Sequence, residues 1–176
     1  MLVSACSSPA PNFYQPVSVK TADITYPNIK GTVLIQQVIL PAEVARPQIT
    51  TIGNNDFELK IDEFNRWGAS PEKLVQRVLN QNLSRYLPNA NVENQTSFRK
   101  NYKKAIAVEI TEMGGKLGKE AILSGSYFIK NSNGVVIKSG KLNESVGIKN
   151  GYEEYVLAQS RLLGALSAQI AADLAQ

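Results

Sequence analysis

Cys6 is the residue with the clearest chemical signal, because it is the sequence's only cysteine and follows aliphatic and small residues. The preceding run, Leu2-Val3-Ser4-Ala5, is typical of the end of a bacterial lipoprotein signal, in which the cysteine thiol accepts diacylglycerol before cleavage. Small residues are needed there because the peptidase must fit the backbone beside the lipidated thiol. The charged and apolar regions that usually come earlier in such a signal are missing. We interpret Cys6 as a lipidation site.

The residues after Cys6 decide between this interpretation and a stray buried cysteine. Residues 7–12 are small or polar and include two prolines, which indicates a flexible tether rather than a core segment. Ser7 stands where an aspartate would signal retention in the inner membrane. We therefore expect a protein held by acyl chains at the periplasmic face of the outer membrane.

Enzymatic chemistry has few candidates in this sequence. With no histidine and one cysteine, the chain offers no zinc site, Cys/His pair, Ser-His-Asp triad or internal disulfide. Ser70 and Lys73 match a Ser-x-x-Lys pattern, but Pro71 and Glu72 between them indicate a helix start with Ser70 as its N-cap. The glycine-rich stretch 114–119 lacks two required positions of a phosphate loop and is better read as a turn. We expect no enzymatic activity, no metal and no cofactor.

The charge balance gives only weak evidence for an anionic partner. Lysine and arginine outnumber acids by 19 to 15, and the excess is spread along the chain. One short basic cluster, at residues 99–104, straddles a predicted strand start, where a solvated edge is the simpler interpretation. We expect no nucleic-acid partner.

Length and hydropathy indicate one domain without a membrane-spanning helix. A chain of 176 residues matches a single ordinary domain, and no apolar run approaches the roughly 20 residues needed to cross a bilayer. We predict that residues 1–12 hold a signal remnant, the lipidation site and a tether, and that residues 13–176 form one α+β domain.

Hydrophobic periodicity predicts two helices and a set of strands. Apolar residues at three- and four-residue steps predict helices from Pro71 to about Leu87 and from about Tyr152 to Leu174. A turn signal at 53–56 and an Asn-Gly pair at 133–134 each predict a hairpin. The predicted strands are 32–40, 48–52, 57–64, 105–113, 120–130 and 135–146, with a further strand opening at Phe13. This order predicts an α+β two-layer sandwich, a mainly antiparallel sheet with two helices packed on one face.

Several segments in this order resemble the PqiC (paraquat-inducible protein C) family of ABC-type transport auxiliary lipoproteins. The resemblance covers nearly the whole chain and departs from the family pattern at Ala45 and around 111–113. It rests on the following segments: Cys6, Phe13-Tyr14, Leu40-Pro41, Arg46-Pro47-Gln48-Ile49, Phe64-Asn65-Arg66-Trp67 with the helix after it, Tyr155 to Leu163, Leu166-Ser167 and Ile170-Ala171.

The resemblance implies a function in lipid transport between membranes. Family members are outer-membrane lipoproteins that accompany an MCE (mammalian cell entry) protein and its inner-membrane partner. By this resemblance, the chain would be a non-enzymatic subunit that docks the periplasm-spanning MCE protein at the outer membrane. The alternative is a structural lipoprotein that scaffolds secretion or cell-wall assembly through protein contacts alone.

The sequence also offers candidate contact surfaces. Arg46, Pro47 and Gln48 form a predicted loop, and Arg66 and Trp67 stand where a strand passes into a helix, where Trp67 would close the end of the core. A stripe of small residues on the second helix, Gly164, Ala168, Ala171 and Ala175, would allow close packing against its own domain or a neighbour. Since one small sandwich cannot enclose a lipid-sized cavity, we predict a homo-oligomer, with a closed ring as one arrangement.

Overall fold

The computed structural model describes residues 9–95 and 101–176. Within those ranges the chain forms strands and two helices in an α+β arrangement, as predicted. The elements are β1 (Asn12–Tyr14), β2 (Gly31–Ile39), β3 (Gln48–Ile52), β4 (Leu59–Trp67), α1 (Pro71–Tyr86), β5 (Ala90–Asn94), β6 (Lys104–Lys116), β7 (Glu120–Asn131), β8 (Val136–Gly147) and α2 (Tyr152–Leu174).

A five-stranded sheet in the order β5-β2-β6-β7-β8 carries both helices. The long strands β6, β7 and β8 are antiparallel, and the Asn133-Gly134 turn joins the last two as the sequence predicts. Strand β2 pairs in parallel with β5 and β6, because the chain crosses over through α1 before it returns to the sheet. The sheet is therefore mixed, where the sequence suggested a mainly antiparallel one.

The structure has a second sheet of three strands, in the order β1-β4-β3. The sequence patterns did not distinguish it from the first sheet. Strands β3 and β4 form the predicted hairpin, but its connection covers residues 53–58 rather than four residues. The register between β3 and β4 slips by several residues after Gln48, which leaves a bulge at 63–65 of β4. Strand β1 lies parallel to β4 on the far edge.

The helices begin and end near the predicted residues for the expected physical reasons. Ser70 occupies the N-cap position of α1 with an extended backbone, and Pro71 follows at the first helical position. The Ser70 hydroxyl bonds the Glu72 carboxylate at 2.6 Å and does not cap the backbone. The predicted apolar stripe of α1 is buried against the sheet and α2.

An extended segment, residues 15–29, lies over the helices, and we call it the strap. Its backbone N–H at Val19 donates to the Asn82 side chain at 3.0 Å, and that at Thr21 donates to the Tyr86 hydroxyl at 3.0 Å. A Cβ at Gly164 would lie 2.6 Å from the Val19 carbonyl oxygen, so α2 needs glycine where the strap crosses it. The small-residue stripe at this point therefore serves packing within the chain.

One further sequence expectation needs correction, and one strand was missed. Only residues 117–119 of the glycine-rich stretch 114–119 form the turn, because β6 continues to Lys116. Strand β5 was not predicted at all. Of the basic cluster at 99–104, Arg99 and Lys100 lie outside the described residues, as does Cys6.

Candidate functional site

The predicted contact residues of the loop and of the strand-helix junction come together beside one groove. The groove encloses about 320 Å³ between the loop before β3 and the start of α1, and we call it the Arg46 groove. It is lined by Ala45, Arg46, Pro47, Trp67, Ala69, Ser70, Pro71 and Glu72.

Trp67 lines the groove and belongs to the hydrophobic core. Its side chain is 6% exposed, as expected for a residue that closes the end of the core. Its backbone N–H donates to the Pro47 carbonyl oxygen at 2.7 Å, and the N–H of Gly68 donates to the Tyr14 carbonyl oxygen at 2.8 Å. These bonds hold the end of β4 between the loop and β1, so the groove has a fixed wall.

Arg46 contributes an unsatisfied donor to this groove. Its Nε atom is buried and has no hydrogen-bond acceptor among the described residues. Glu72 lines the same groove and puts a carboxylate there. A buried donor without a partner costs free energy, and the half-exposed remainder of the Arg46 side chain is the part that an acceptor on a bound partner would meet. The chemistry of this groove suits a protein segment that presents an acceptor oxygen to Arg46 and a donor to Glu72.

Gln48 and Arg66 lie next to the groove and are paired across β3 and β4. Phe13 on β1 is in turn paired with Arg66, so the three side chains share one face of the small sheet. The Gln48 amide donates to Glu63 at 3.1 Å, and Phe13 is 65% exposed. This row extends the polar and aromatic surface outward from the groove.

Asp62 holds the bulge of β4 in place. Its Oδ1 accepts the backbone N–H groups of Phe64 at 2.8 Å and Asn65 at 2.7 Å, and its Oδ2 accepts the Tyr152 hydroxyl at 3.0 Å. The Tyr14 hydroxyl donates to Asn65 Oδ1 at 3.1 Å. The network joins β1, β4 and the first turn of α2, and so fixes the small sheet on the main body.

The network shifts two pKa values in opposite directions. Burial by itself would raise the pKa of Asp62, but hydrogen bonds from Phe64, Asn65 and Tyr152 outweigh it and lower the pKa below its ordinary value. Burial, and then the hydrogen bond to the Asp62 carboxylate, raises the pKa of Tyr152 to about 12. The neutral tyrosine and ionised carboxylate are thus the stable pair at neutral pH.

The described parts of the chain contain no cluster of three His, Cys, Asp or Glu side chains that could hold a metal ion. Among the described residues, no helix has the length and apolar character needed to cross a membrane.

Comparison with known proteins identifies the family. The sequence model of the ABC-type transport auxiliary lipoprotein component matches residues 14–171. The chain belongs to this family. The family description supports a lipid-anchored envelope protein associated with transport, and the groove, the strap and the Asp62 network all lie within the matched range. No curated protein matches the sequence.

Solved structures share the fold of this auxiliary lipoprotein at low sequence identity. One, described as an uncharacterized protein, superposes with a TM-score of 0.77 at 21% identity and covers 94% of this chain and 99% of its own. A protein from Xanthomonas campestris gives 0.73 at 11% identity, covering 90% and 92%. PelC from Paraburkholderia phytofirmans, solved as a dodecamer, gives 0.52 at 10% identity, covering 89% and 94%. At these identities the likeness shows the fold alone.

Sequence reasoning missed the residues that hold the strap and the bulge. Asn82 and Ser167 are fully buried in otherwise apolar stripes and bond each other at 3.1 Å. A polar residue inside such a stripe was the available signal, since a buried amide needs partners. For the bulge the signal was Asp62 followed three residues later by Asn65, a spacing at which a carboxylate can bond nearby backbone N–H groups.

Proposed function

We propose that this auxiliary lipoprotein is a non-enzymatic outer-membrane subunit of an MCE-type lipid transport system, in which it docks the periplasm-spanning partner. The observation that carries the proposal is the family match over residues 14–171. Lipidation of Cys6 would hold the protein at the membrane, and the MCE-domain protein and its inner-membrane partner would complete the assembly.

The Arg46 groove is the surface we assign to the docked partner. Three features support this role: a rigid wall made by Trp67 and Pro47, an unsatisfied donor on Arg46, and a carboxylate on Glu72. Gln48 and Arg66 extend the contact area beside it. A partner segment that pairs with Arg46 would gain a charge-assisted hydrogen bond, which is stronger than a neutral one.

A homo-oligomeric ring is part of the proposal. The hydrophobic core of the described chain is filled by its own side chains, so a lipid-sized passage would have to form between subunits. PelC, which shares the fold, is a dodecamer. A repeated heterologous contact that closes on itself would give this chain a comparable collar.

Co-purification from membranes tests the partnership. A tagged protein that carries Cys6 and a complete lipoprotein signal should recover the MCE-domain protein encoded by the same cell. Arg46→Glu should reduce the recovery severalfold, because it repels an acceptor on the partner. Lys149→Glu is the matched control, since Lys149 is an exposed lysine that does not line the groove.

Two outcomes would contradict the proposal. Recovery of secretion or cell-wall assembly proteins without any MCE protein would favour the scaffold alternative. If the Arg46→Glu and Lys149→Glu proteins are both stably folded and recover equal amounts of the MCE-domain protein, the groove is not part of the contact.

A further inference from the structure

Large apolar side chains are exposed along the small sheet and at the turn between β3 and β4. Phe57 in the turn is 90% exposed, and Phe13 on β1 is 65% exposed. Leu59, Ile61 and Phe64 on β4 are each between 42% and 47% exposed. Contiguous exposed apolar surface on a water-facing protein commonly marks an interaction site.

Strand β1 runs in the direction that points its N-terminal end toward the part of the small sheet that carries Phe57. Strand β1 is parallel to β4, with Asn12 beside Asn65 and Tyr14 beside Trp67. The chain that leads into Asn12 therefore approaches from the side where β4 begins. That side carries the 53–58 turn and Phe57.

The length of the tether sets how far the anchor is from this surface. Cys6 precedes Asn12 by six residues, which span at most about 20 Å when extended. Because of the bulge at 63–65, β4 from Leu59 to Arg66 spans only the length of β3 from Ile52 to Gln48, four residue steps or about 13 Å at the rise of a strand. An acyl chain on Cys6 would therefore bring the bilayer surface within reach of Phe57.

We propose that the apolar end of the small sheet, headed by Phe57, rests in the headgroup boundary of the phospholipid bilayer that holds the acyl anchor. This inference rests on the proposed lipidation of Cys6. Exposed aromatic and aliphatic side chains gain free energy when they leave water for this boundary. Positive charge is not the driving force, because Asp56 and Glu58 in the turn outnumber Lys60 on β4.

The contact would also orient the Arg46 groove. Phe57 precedes β4 and Trp67 ends it, so the groove lies at the opposite end of this nine-residue strand. With the bulge at 63–65 discounted, Leu59 and Trp67 are five residue steps apart, about 17 Å at a strand's rise. A molecule seated on Phe57 would direct its groove away from the bilayer, toward a partner arriving through the periplasm.

Fluorescence quenching on vesicles tests the contact. Because Cys6 is the only cysteine, the full chain can be coupled to a maleimide phospholipid in vesicles of phosphatidylethanolamine and phosphatidylglycerol that contain brominated acyl chains. Phe57→Trp places a reporter at the proposed contact. Ile137→Trp is the control, because Ile137 is 51% exposed at one end of the main sheet. Lys116 lies at the other end of that sheet, and its ammonium donates to the Asn54 carbonyl oxygen in the turn that carries Phe57.

The expected result is strong quenching, at least twofold, with a blue shift for Phe57→Trp, and no change for Ile137→Trp beyond the signal of Trp67. Equal quenching of the two reporters, or stronger quenching at Ile137→Trp, would overturn the inference. Chemical coupling bypasses biological lipidation, so this outcome is independent of the proposed function. If the mass of the native protein shows that Cys6 is unmodified, the native protein has no acyl anchor there. The inference would then fail even if the vesicle experiment gave the expected quenching.

Discussion

Trp67 shows how one side chain connects the core to the proposed docking surface. It is buried in the core cluster, and its backbone holds the loop of the Arg46 groove. Trp67→Ala should lower the free energy of unfolding by about 3 to 5 kcal/mol, since a large cavity would remain. Denaturant unfolding measures this, with Phe57→Ala as an exposed control that should change little. A Trp67→Ala protein as stable as wild type that loses its partner would instead assign Trp67 to binding.

Asp62 makes stability depend on pH in the acid range. Its folded pKa lies below the ordinary value of 3.8, so its stabilising contribution is present above that value and is lost as the pH falls through the folded pKa. Asp62→Asn should therefore have a lower free energy of unfolding than wild type at about pH 7, and this difference in free energy should be smaller at about pH 3. Asp56→Asn, at an exposed position, should show no such narrowing. A gap independent of pH would contradict this role.

At the scale of elements, the strap depends on one buried amide. Asn82 accepts from the Ser18 hydroxyl at 2.7 Å and the Val19 N–H at 3.0 Å. Asn82→Leu should destabilise the fold by about 1 to 3 kcal/mol, because it leaves buried donors unsatisfied. Hydrogen exchange at the strap amides should accelerate at Val19, with Gln81→Leu on the exposed side of α1 as the control. Unchanged exchange at Val19 would show that other contacts hold the strap.

The elements that could be predicted from sequence are those with a long hydrophobic period or a strong turn signal. Helices α1 and α2 and the β7-β8 hairpin agree with the sequence within a few residues. Strand β5 is only five residues, half-polar, and follows a proline, so no period marks it. The strap has no period either, because helix side chains rather than strand pairing bind its backbone. The third strand of the small sheet depends on the parallel pairing of three residues of β1 with β4, which is a tertiary contact.

The residues of the candidate site were predictable from the sequence, but their proximity in one groove was not. The sequence singled out the loop at Arg46 and the junction at Trp67, and the structure brings both to one groove. Gln48 pairs with Arg66 and so joins the loop to the junction. This pairing depends on the register of the hairpin, which the bulge shifts. A sequence pattern specifies strand alternation but not such a slip.

At the scale of the whole molecule, we predict a homo-oligomer. The Cys6→Ser protein should leave the membrane, because it lacks the thiol that would carry the acyl anchor. At micromolar concentration its mass by light scattering should exceed that of one 19.2 kDa chain. A strict monomer, alone and with the partner's periplasmic domain, would leave the ring without support.

The most direct test of docking at the Arg46 groove is site-specific crosslinking in intact cells. A photoreactive amino acid placed at Arg46 should form a product with the MCE-domain protein, identified by mass spectrometry. The same group at Ile137, at the far end of the main sheet, should give no such product. A crosslink to the MCE protein from Ile137 but not from Arg46, or from neither in a cell where the complex is intact, would contradict the proposed docking site.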